Sequence, residues 1–242
     1  MKTVAIVQAR MGSTRLPGKV LKEVLSRPLL SYQIERMKKI QLIDELIIAT
    51  TPNQNEKIVE LCEKENVSYF IGSETDVLAR YYDAAMQSNA DIVVRMTSDC
   101  PLIDPNIVNE IIAMYQNGSY DYVSNTIQRT FPRGMDAEVF SFAALERAYN
   151  EAKIDYEREH VTPYLYLNSD KFKIKQFVQQ EDTNEIRLTV DTQEDFELIK
   201  LIFEALYQSN PNFMLDDIID VLHKHPQWLD INKEIEQKKL GE

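Results

Sequence analysis

The amino-acid sequence predicts a three-layer α/β/α sandwich built around a mostly parallel sheet. Short apolar runs alternate with amphipathic helical patterns along most of the chain, which is the order that consecutive βα units produce. Residues 47–49 and 92–94 are apolar at every position, as expected of parallel strands covered on both faces. Ligands of such sheets bind beyond the carboxyl ends of the strands, so functional residues are expected there.

The individual elements follow in order along the chain. Strands are predicted at residues 4–8, 46–50, 68–71, 92–97, 121–124, 137–140, 172–177 and 186–190. Helices are predicted at residues 29–40, 53–65, 77–88, 106–117, 143–152 and 158–167, where apolar residues recur every three or four positions. Asp104 before Pro105 suits a helix start, and Ser73 or Thr75 suits the cap of the helix at 77. Residues from about 192 onward form a helical tail without a linker, so a single domain, 1–242, is expected.

Composition and charge narrow the function classes. The chain is 44% apolar and 27% charged, as in ordinary globular proteins. Its two cysteines, Cys62 and Cys100, lack the spacing of a disulfide framework or a zinc site and suit a reducing compartment. Arg10 ends the N-terminal apolar run too early for a signal peptide, and no apolar stretch reaches about 18 residues. We therefore expect a cytoplasmic protein with no membrane partner. The net charge of −12 disfavours nucleic acid as a partner.

Positive charge is concentrated at the start of this acidic chain. The first 40 residues carry nine lysines and arginines against two acids, Glu23 and Glu35. Such a cluster suggests a pocket for a small polyanion. For four of the cations, solvated charges on a helix face are the favoured explanation: Lys22, Arg36, Lys38 and Lys39. Arg10, Arg15 and Lys19 lie in a loop, where that explanation is weaker.

The loop after the first strand combines the groups that a triphosphate requires. Gly12 and Gly18 allow close backbone approach, hydroxyl groups stand between them, and three cations are spread over about ten residues. A Walker A loop is excluded because five residues separate the two glycines and Val20 stands where its hydroxyl residue belongs. The dinucleotide-binding glycine fingerprint is also absent.

Two aspartates follow predicted strands and are expected near this loop. Asp99 comes after the strand at 92–97, and Asp191 comes after the strand at 186–190. Carboxylates at these positions suit Mg²⁺, which takes hard oxygen ligands and bridges substrate oxygens. Asp191 has a second explanation, because with Glu194 it could cap the helix that begins near Thr192.

Further polar residues leave alternatives open. On a strand, Asp136 and Glu138 share one face, which fits either binding of sugar hydroxyls or a solvated surface. Arg133, and with it Arg129, could receive a carboxylate. His160 fits a structural role as well as a binding role. Arg80 could approach a nucleotide, although pairing with Asp76 one turn earlier is favoured. We assign no metal to His223 and His225, and no nucleophilic role to Cys100.

Residues 9–19, Ala-Arg-Met-Gly-Ser-Thr-Arg-Leu-Pro-Gly-Lys, resemble the signature loop of cytidylyltransferases that activate acidic sugars. These are the CMP-acylneuraminate and CMP-3-deoxy-manno-octulosonate synthetases, and the nearest subgroup is the SpsF type of spore coat polysaccharide biosynthesis proteins. The resemblance extends through residues 97–102, 134–140, 158–160 and 190–192, and so covers roughly residues 1–200. It implies a Rossmann-like fold of the nucleotide-diphospho-sugar transferase type. It also implies CTP and a sugar acid as substrates, Mg²⁺ as cofactor, pyrophosphate as product and a possible homodimer.

The resemblance also assigns roles to residues. The implied nucleotide-binding residues are Ala9, Arg10, Gly12, Ser13, Thr14, Arg15, Lys19, Arg80 and Ser98. The implied metal ligands are Asp99 and Asp191, which with Arg10 and Lys19 form the catalytic set. The implied acceptor-binding residues are Arg133, Gly134, Asp136, Glu138, Arg158 and His160. Two alternatives stay open: a glycosyltransferase that uses a nucleotide sugar, which the lack of a D-x-D motif near Asp99 disfavours, and a non-catalytic binding protein of the same fold.

Overall fold

The computed structural model describes residues 1–237. The strands are β1 (Thr3–Gln8), β2 (Glu23–Val24), β3 (Arg27–Pro28), β4 (Glu45–Thr50), β5 (Ser68–Ile71), β6 (Ile92–Thr97), β7 (Tyr122–Ser124), β8 (Glu138–Ser141) and β9 (Ile174–Gln176). The helices are α1 (Leu29–Met37), α2 (Glu56–Lys64), α3 (Val77–Gln87), α4 (Pro105–Asn117), α5 (Phe142–Glu151), α6 (Asp155–His160), α7 (Pro163–Leu167), α8 (Gln193–Leu206) and α9 (Leu215–Lys224). Short 3₁₀ turns span Lys19–Leu21 and Pro226–Asp230.

Seven of the strands form one sheet in the order β5-β4-β1-β6-β8-β7-β9, while β2 and β3 form a separate hairpin. Neighbouring strands from β5 to β6 are parallel, β8 is antiparallel to both of its neighbours, and β7 and β9 are parallel. The carboxyl ends of β1, β4, β6 and β7 therefore meet at one edge, which the first residues of β8 share. The predicted mostly parallel sheet is confirmed.

Helices cover both faces of this sheet, as β1 illustrates. Ala5 and Val7 point into a first core, which is shared with α1, α2, α4, α8 and α9. Val4 and Ile6 point into a second core on the opposite face, shared with α3, α5 and α7. Burying each large aliphatic side chain contributes about 1.5–3 kcal/mol, so this strand anchors two cores at once. The predicted three-layer sandwich is confirmed.

The helix starts show how local sequence positions the loops around the site. Asp104 caps α4 as predicted, its carboxylate accepting from the backbone N–H of Asn106. The cap of α3 differs from the prediction. Asp76 accepts from the N–H of Ala79, while Ser73 only supports the turn before it.

Two predicted elements are wrong. Residues 186–190 form no strand within the sheet, only an isolated bridge between Arg133 and Arg187. The alternating apolar pattern arises because Ile186, Leu188 and Val190 are buried in the first core while their backbone bonds to loop residues. The predicted helix at 158–167 is two short helices, α6 and α7. Val161, with a φ of +72° between them, breaks the helix.

The C-terminal region packs on the first core through α8, α9 and the turn at Pro226–Asp230. The predicted helical tail, about 192–242, is helical in α8 and α9, while its residues 238–242 lie outside the described residues. The single-domain assignment stays a prediction. Within residues 1–237, none of the helices combines the length and the apolarity needed to cross a membrane.

Candidate active site

A cavity of about 620 Å³ opens at the carboxyl edge of the sheet. Its walls come from the loop after β1, the residues that follow β6, the start of α3 and the end of α6. Twelve of the residues predicted for the site line it: Ala9, Arg10, Gly12, Ser13, Thr14, Arg15, Lys19, Arg80, Ser98, Asp99, His160 and Asp191. The cavity is thus where the sheet topology places a ligand.

The loop after β1 is closed at its base and open at its middle. The N–H of Gly18 donates to the carbonyl oxygen of Met11 at 3.1 Å, and Gly18 takes a φ of +66°, a conformation that glycine adopts without strain. Gly12 has no atom within 4 Å of where a Cβ would stand. A ligand can therefore approach the backbone at Gly12.

The two predicted aspartates converge on one cation. The N–H of Val190 donates to the carbonyl oxygen of Asp99 at 2.8 Å, which ties the two loops together. The ammonium of Lys19 lies 2.7 Å from Oδ1 of Asp191 and 3.7 Å from Oδ2 of Asp99. Burial alone would lower the pKa of Lys19, but the two carboxylates outweigh it and raise that pKa. Residues 172 positions apart along the chain thus meet at this point.

Asp191 does not cap α8. Thr192 is the cap, and its hydroxyl and the carboxylate of Asp195 exchange hydrogen bonds with each other's backbone N–H groups. The capping alternative for Asp191 is therefore wrong, and the acid that completes the cap is Asp195 rather than Glu194. The carboxylate of Asp191 instead contacts three cations, those of Lys19, Arg15 and Arg187. Burial would raise the pKa of Asp191, but these cations outweigh it and lower that pKa.

Arg187 was not identified from the sequence. Its side chain is 7% exposed and bonds to Asp195 through Nε at 2.8 Å, while Nη2 also bonds to Asp191 at 2.8 Å. One signal was present, because Arg187 is the single charged residue in the run Ile-Arg-Leu-Thr-Val. A charge inside a buried run needs a buried partner, which here is the pair of aspartates.

Arg80 lies in the cavity wall without the predicted partner. Its Nη1 donates to the carbonyl oxygen of Ser73 at 3.0 Å, and its Nε has no partner among residues 1–237. Burial, with a smaller effect from nearby Arg10, lowers the pKa of Arg80. The predicted pairing with Asp76 is wrong, since Asp76 bonds to Nε of Arg158 at 2.7 Å.

His160 also lines the cavity, at the end of α6. Burial lowers the pKa of His160, so its imidazole is neutral at neutral pH. A neutral imidazole offers one donor and one acceptor to a ligand.

The other predicted acceptor residues do not line this cavity: Arg133, Gly134, Asp136, Glu138 and Arg158. Arg158 is engaged by Asp76, and Asp136 is engaged by Arg129. Glu138 is 4% exposed, which excludes the solvated strand face that the sequence left open.

Glu138 is held entirely by internal partners. It pairs with Arg95 on the neighbouring strand and accepts from the hydroxyls of Tyr122 at 2.5 Å and Thr162 at 2.7 Å. Arg133 lies instead beside a second cavity of about 400 Å³. Gly134 has a φ of +105°, and a Cβ there would meet the backbone of Leu188 at 2.7 Å.

The residues at the meeting point fit a divalent cation. The described chain holds no group of three or more His, Cys, Asp or Glu side chains that could bind a metal by themselves. Asp99 and Asp191 nevertheless reach one cationic atom together. Mg²⁺ is commonly bound by one or two carboxylates, with phosphate oxygens and water completing its shell. The pair therefore suits a cation that arrives with a nucleotide.

The family profile described as Cytidylyltransferase matches residues 4–235. This chain belongs to the cytidylyltransferase family. The resemblance seen in the sequence is thereby confirmed, and the protein is a nucleotidyltransferase.

Its similarity to individual members runs along nearly the whole chain. A solved cytidylyltransferase from Leptospira borgpetersenii serovar Hardjo-bovis superposes with a TM-score of 0.90 at 37% identity, covering 99% of this chain and 100% of that one. The spore coat polysaccharide biosynthesis protein SpsF of Bacillus subtilis is 32% identical over 232 residues, 91% of this chain and 94% of its own. An uncharacterized protein of Methanocaldococcus jannaschii is 39% identical over 251 aligned positions, 100% of this chain and 99% of its own.

Proposed function

We propose that this cytidylyltransferase transfers CMP from CTP to a sugar acid, with release of pyrophosphate, for the synthesis of a surface or spore coat polysaccharide. The observation that carries the proposal is the contact of Lys19 with both Asp99 and Asp191 at a cation-lined cavity. The polysaccharide is suggested by the relative named SpsF. The sugar acid is suggested by the resemblance of residues 9–19 and 134–140 to the CMP-sugar-acid synthetases.

The loop after β1 supplies the triphosphate site. Arg10, Arg15 and Lys19 neutralise the β- and γ-phosphates, while the open backbone at Gly12 and the hydroxyls of Ser13 and Thr14 donate to their oxygens. Ala9, Ser98 and Arg80 complete the nucleotide side of the wall. A cavity of about 620 Å³ lies within the usual range for small-molecule sites.

Asp99 and Asp191 would hold Mg²⁺, which when bound supplies charge neutralisation and lowers the pKa of the acceptor hydroxyl. Lys19, which pairs with both acids here, then turns to the phosphates, so the positive charge beside the two acids is replaced. The acceptor oxygen forms a bond to the α-phosphorus as the bond to pyrophosphate breaks, and the proton of the acceptor hydroxyl is released to water. Arg10, Arg15 and Lys19 stabilise the charge that develops on the departing pyrophosphate.

His160 is the acceptor-side residue that lines the cavity, and its neutral imidazole is placed to bond a sugar hydroxyl. Arg133, Gly134, Asp136, Glu138 and Arg158 do not line the cavity, so this proposal assigns them no contact with the sugar. We further propose a cytoplasmic homodimer without nucleic-acid or membrane partners. The location follows from CTP as substrate and from two unpaired cysteines.

A pyrophosphate-release screen tests the proposal. Four nucleoside triphosphates are each combined with Mg²⁺ and with panels of sugar acids and sugar phosphates, and the chain with Asp99→Asn serves as the inactive control. We expect pyrophosphate only with CTP and a sugar acid, in equal amount to a CMP-sugar product. Pyrophosphate release with sugar phosphates but not with sugar acids contradicts the proposal that the acceptor is a sugar acid. A rise in melting temperature with CTP but no product in any combination contradicts catalysis.

A further inference from the structure

Asp191 is held by two different kinds of cation. Arg15 and Lys19 belong to the cavity loop, and their side chains are 31% and 14% exposed. Arg187 does not line the cavity, and its side chain is 7% exposed. If the loop cations turn toward phosphates, Arg187 is the cation that stays on Asp191.

The contacts divide the two oxygens of Asp191 between these cations. Arg187 bonds to Oδ2 at 2.8 Å, and Arg15 lies 3.1 Å from the same oxygen. Lys19 takes Oδ1 at 2.7 Å. If Lys19 turns away, Oδ1 of Asp191 is left free for a metal ion, because both arginines bind Oδ2.

Arg187 is itself fixed by a buried carboxylate. Asp195 is fully buried and accepts five hydrogen bonds, two of them from Arg187. The others come from the backbone N–H groups of Asp191 and Thr192 and from the side-chain amide of Asn232. Every one of these bonds lies within 3.1 Å. Asp195 therefore fixes the positions of both the Arg187 side chain and the backbone of Asp191.

Asn232, two residues beyond the turn at Pro226–Asp230, completes this network. The amide of Asn232, which is 4% exposed, donates to the carbonyl oxygen of Arg187 at 3.1 Å as well as to Asp195. The network thus joins a residue of the cavity wall to the C-terminal region, more than 40 positions away.

We propose that Arg187, fixed by Asp195 and Asn232, is a positioning residue that holds Oδ2 of Asp191 and so presents Oδ1 to the divalent cation. The inference rests on the proposed function, because it concerns the metal site of that reaction. A purely structural pair would be complete with the two bonds between Arg187 and Asp195. The additional bond of Nη2 to Asp191 is the one that reaches the cavity.

Binding of Mn²⁺ to the full chain in the presence of CTP tests the inference without turnover, because no acceptor is added. It is measured by electron paramagnetic resonance as the loss of Mn²⁺ signal relative to the same Mn²⁺ and CTP without protein. The variants are Arg187→Lys, which keeps the charge but loses the forked contact, and the double variant Arg187→Met/Asp195→Asn. The double variant removes both buried charges together, so neither is left unpaired. We expect about 10–100-fold weaker Mn²⁺ binding in both, as for loss of groups that orient metal ligands.

The matched control is Arg36→Lys. Arg36 is also a buried arginine, 4% exposed, and it bonds to the carbonyl oxygens of Ile103 and Phe213 away from the cavity. We expect its Mn²⁺ affinity to stay within about two-fold of the wild type even where its melting temperature falls.

The outcomes separate the two proposals. Wild-type affinity in both Arg187 variants, or an equal loss in Arg36→Lys, overturns the positioning role while leaving the proposed function in place. If neither the wild-type chain nor Asp99→Asn binds Mn²⁺, the proposed metal site is overturned and this inference with it.

Discussion

Asp191 and Glu138 are both largely buried acids paired with arginine, yet their surroundings differ. The carboxylate of Asp191 shares its charge with Lys19 and Arg15, two partners on a loop that faces a cavity. Glu138 is bound by Arg95 on a neighbouring strand and by two hydroxyls inside the second core. Cations on an open loop can leave a carboxylate and bind a ligand instead, whereas an arginine on a packed strand cannot. An ion pair therefore indicates a binding site only when one side of it is free to leave.

Removing either aspartate of the cavity should have the largest effect on activity. Asp99→Asn and Asp191→Asn each delete one of the two carboxylates that meet at Lys19, so we expect turnover to fall by about 10³-fold. Both variants should stay folded, because neither acid is needed for the main cores. Pyrophosphate release and a thermal melt measure the two effects. Turnover retained by Asp99→Asn at saturating Mg²⁺ would remove Asp99 from the mechanism.

Glu138→Gln should do the reverse, with a large effect on stability. The change leaves the guanidinium of Arg95 buried beside an uncharged amide, and breaking such a pair costs about 3–5 kcal/mol. Urea unfolding measures the loss. The double variant Arg95→Met/Glu138→Leu is the control, and we expect it to recover much of the stability. A stability change below about 1 kcal/mol in Glu138→Gln would contradict the contrast drawn between the two acids.

Gly134→Ala tests the close backbone contact between Gly134 and Leu188, which lies on the segment that leads to Asp191. Its φ of +105° and a Cβ placed 2.7 Å from the backbone of Leu188 leave no room for a side chain. We expect a loss of about 2 kcal/mol in the free energy of unfolding, because strain of this kind typically costs about 1–3 kcal/mol. Since Leu188 precedes Asp191 on the same segment, activity should fall as well. Gly12→Ala, where the space around a Cβ is open, is the control for stability.

Arg15→Ala should weaken nucleotide binding and slow turnover, with little effect on stability. A charge-assisted hydrogen bond contributes about 1.5–3 kcal/mol, so we expect the KM for CTP to rise about 10-fold or more. The side chain is 31% exposed, and pairs near the surface add little stability, so the melting temperature should change by less than about 2 °C. A large fall in melting temperature with an unchanged KM would place Arg15 in the scaffold instead.

The smallest expected effect is in pH dependence. Burial lowers the pKa of His160 below its usual 6.5, so between these two values the unfolded chain binds a proton that the folded chain does not. Stability should therefore be full above pH 6.5 and fall as the pH drops toward the folded pKa. The pKa of Asp191 is lowered from 3.8, so its contribution is lost only at more acidic pH. Denaturant titrations between pH 7.5 and about 5 should show a slope that His160→Gln abolishes. An unchanged slope would assign the proton to another group.

The parts that the sequence predicted well carry local signals. The glycines, hydroxyls and cations of the loop after β1 stand within about ten residues, and the structure places them around one cavity. Their types predict a phosphate site, and that role stays a prediction. Asp99 follows an apolar run that could only be a strand in this pattern. The sheet order was not predicted, and the direction of β8 was missed because an alternating pattern is the same read in either direction.

The parts that were missed depend on partners distant in sequence. Arg187 became visible only when Asp191 and Asp195 were placed around it, and Arg158 was placed by Asp76, 82 positions earlier. Residues 186–190 look like a strand because they are buried, and burial alone does not show whether the backbone bonds to a sheet or to loops. The role of Glu138 could not be predicted for the same reason. A glutamate suits a sugar-binding site and an internal ion pair equally well, and only its partners in the fold distinguish the two.

The reversed direction of β8 has a consequence for how this enzyme can change its substrate. Because β7 ends and β8 begins at the same edge of the sheet, residues 125–137 leave and return on the side where the cavity opens. Insertions at its exposed residues, Ile127 and Gln128, would lengthen this connection at that edge, whereas Phe131, Met135 and Ala137 are buried in the first core. We expect this connection to be the segment in which relatives with different acceptors diverge most in length, and the natural place to graft a new specificity.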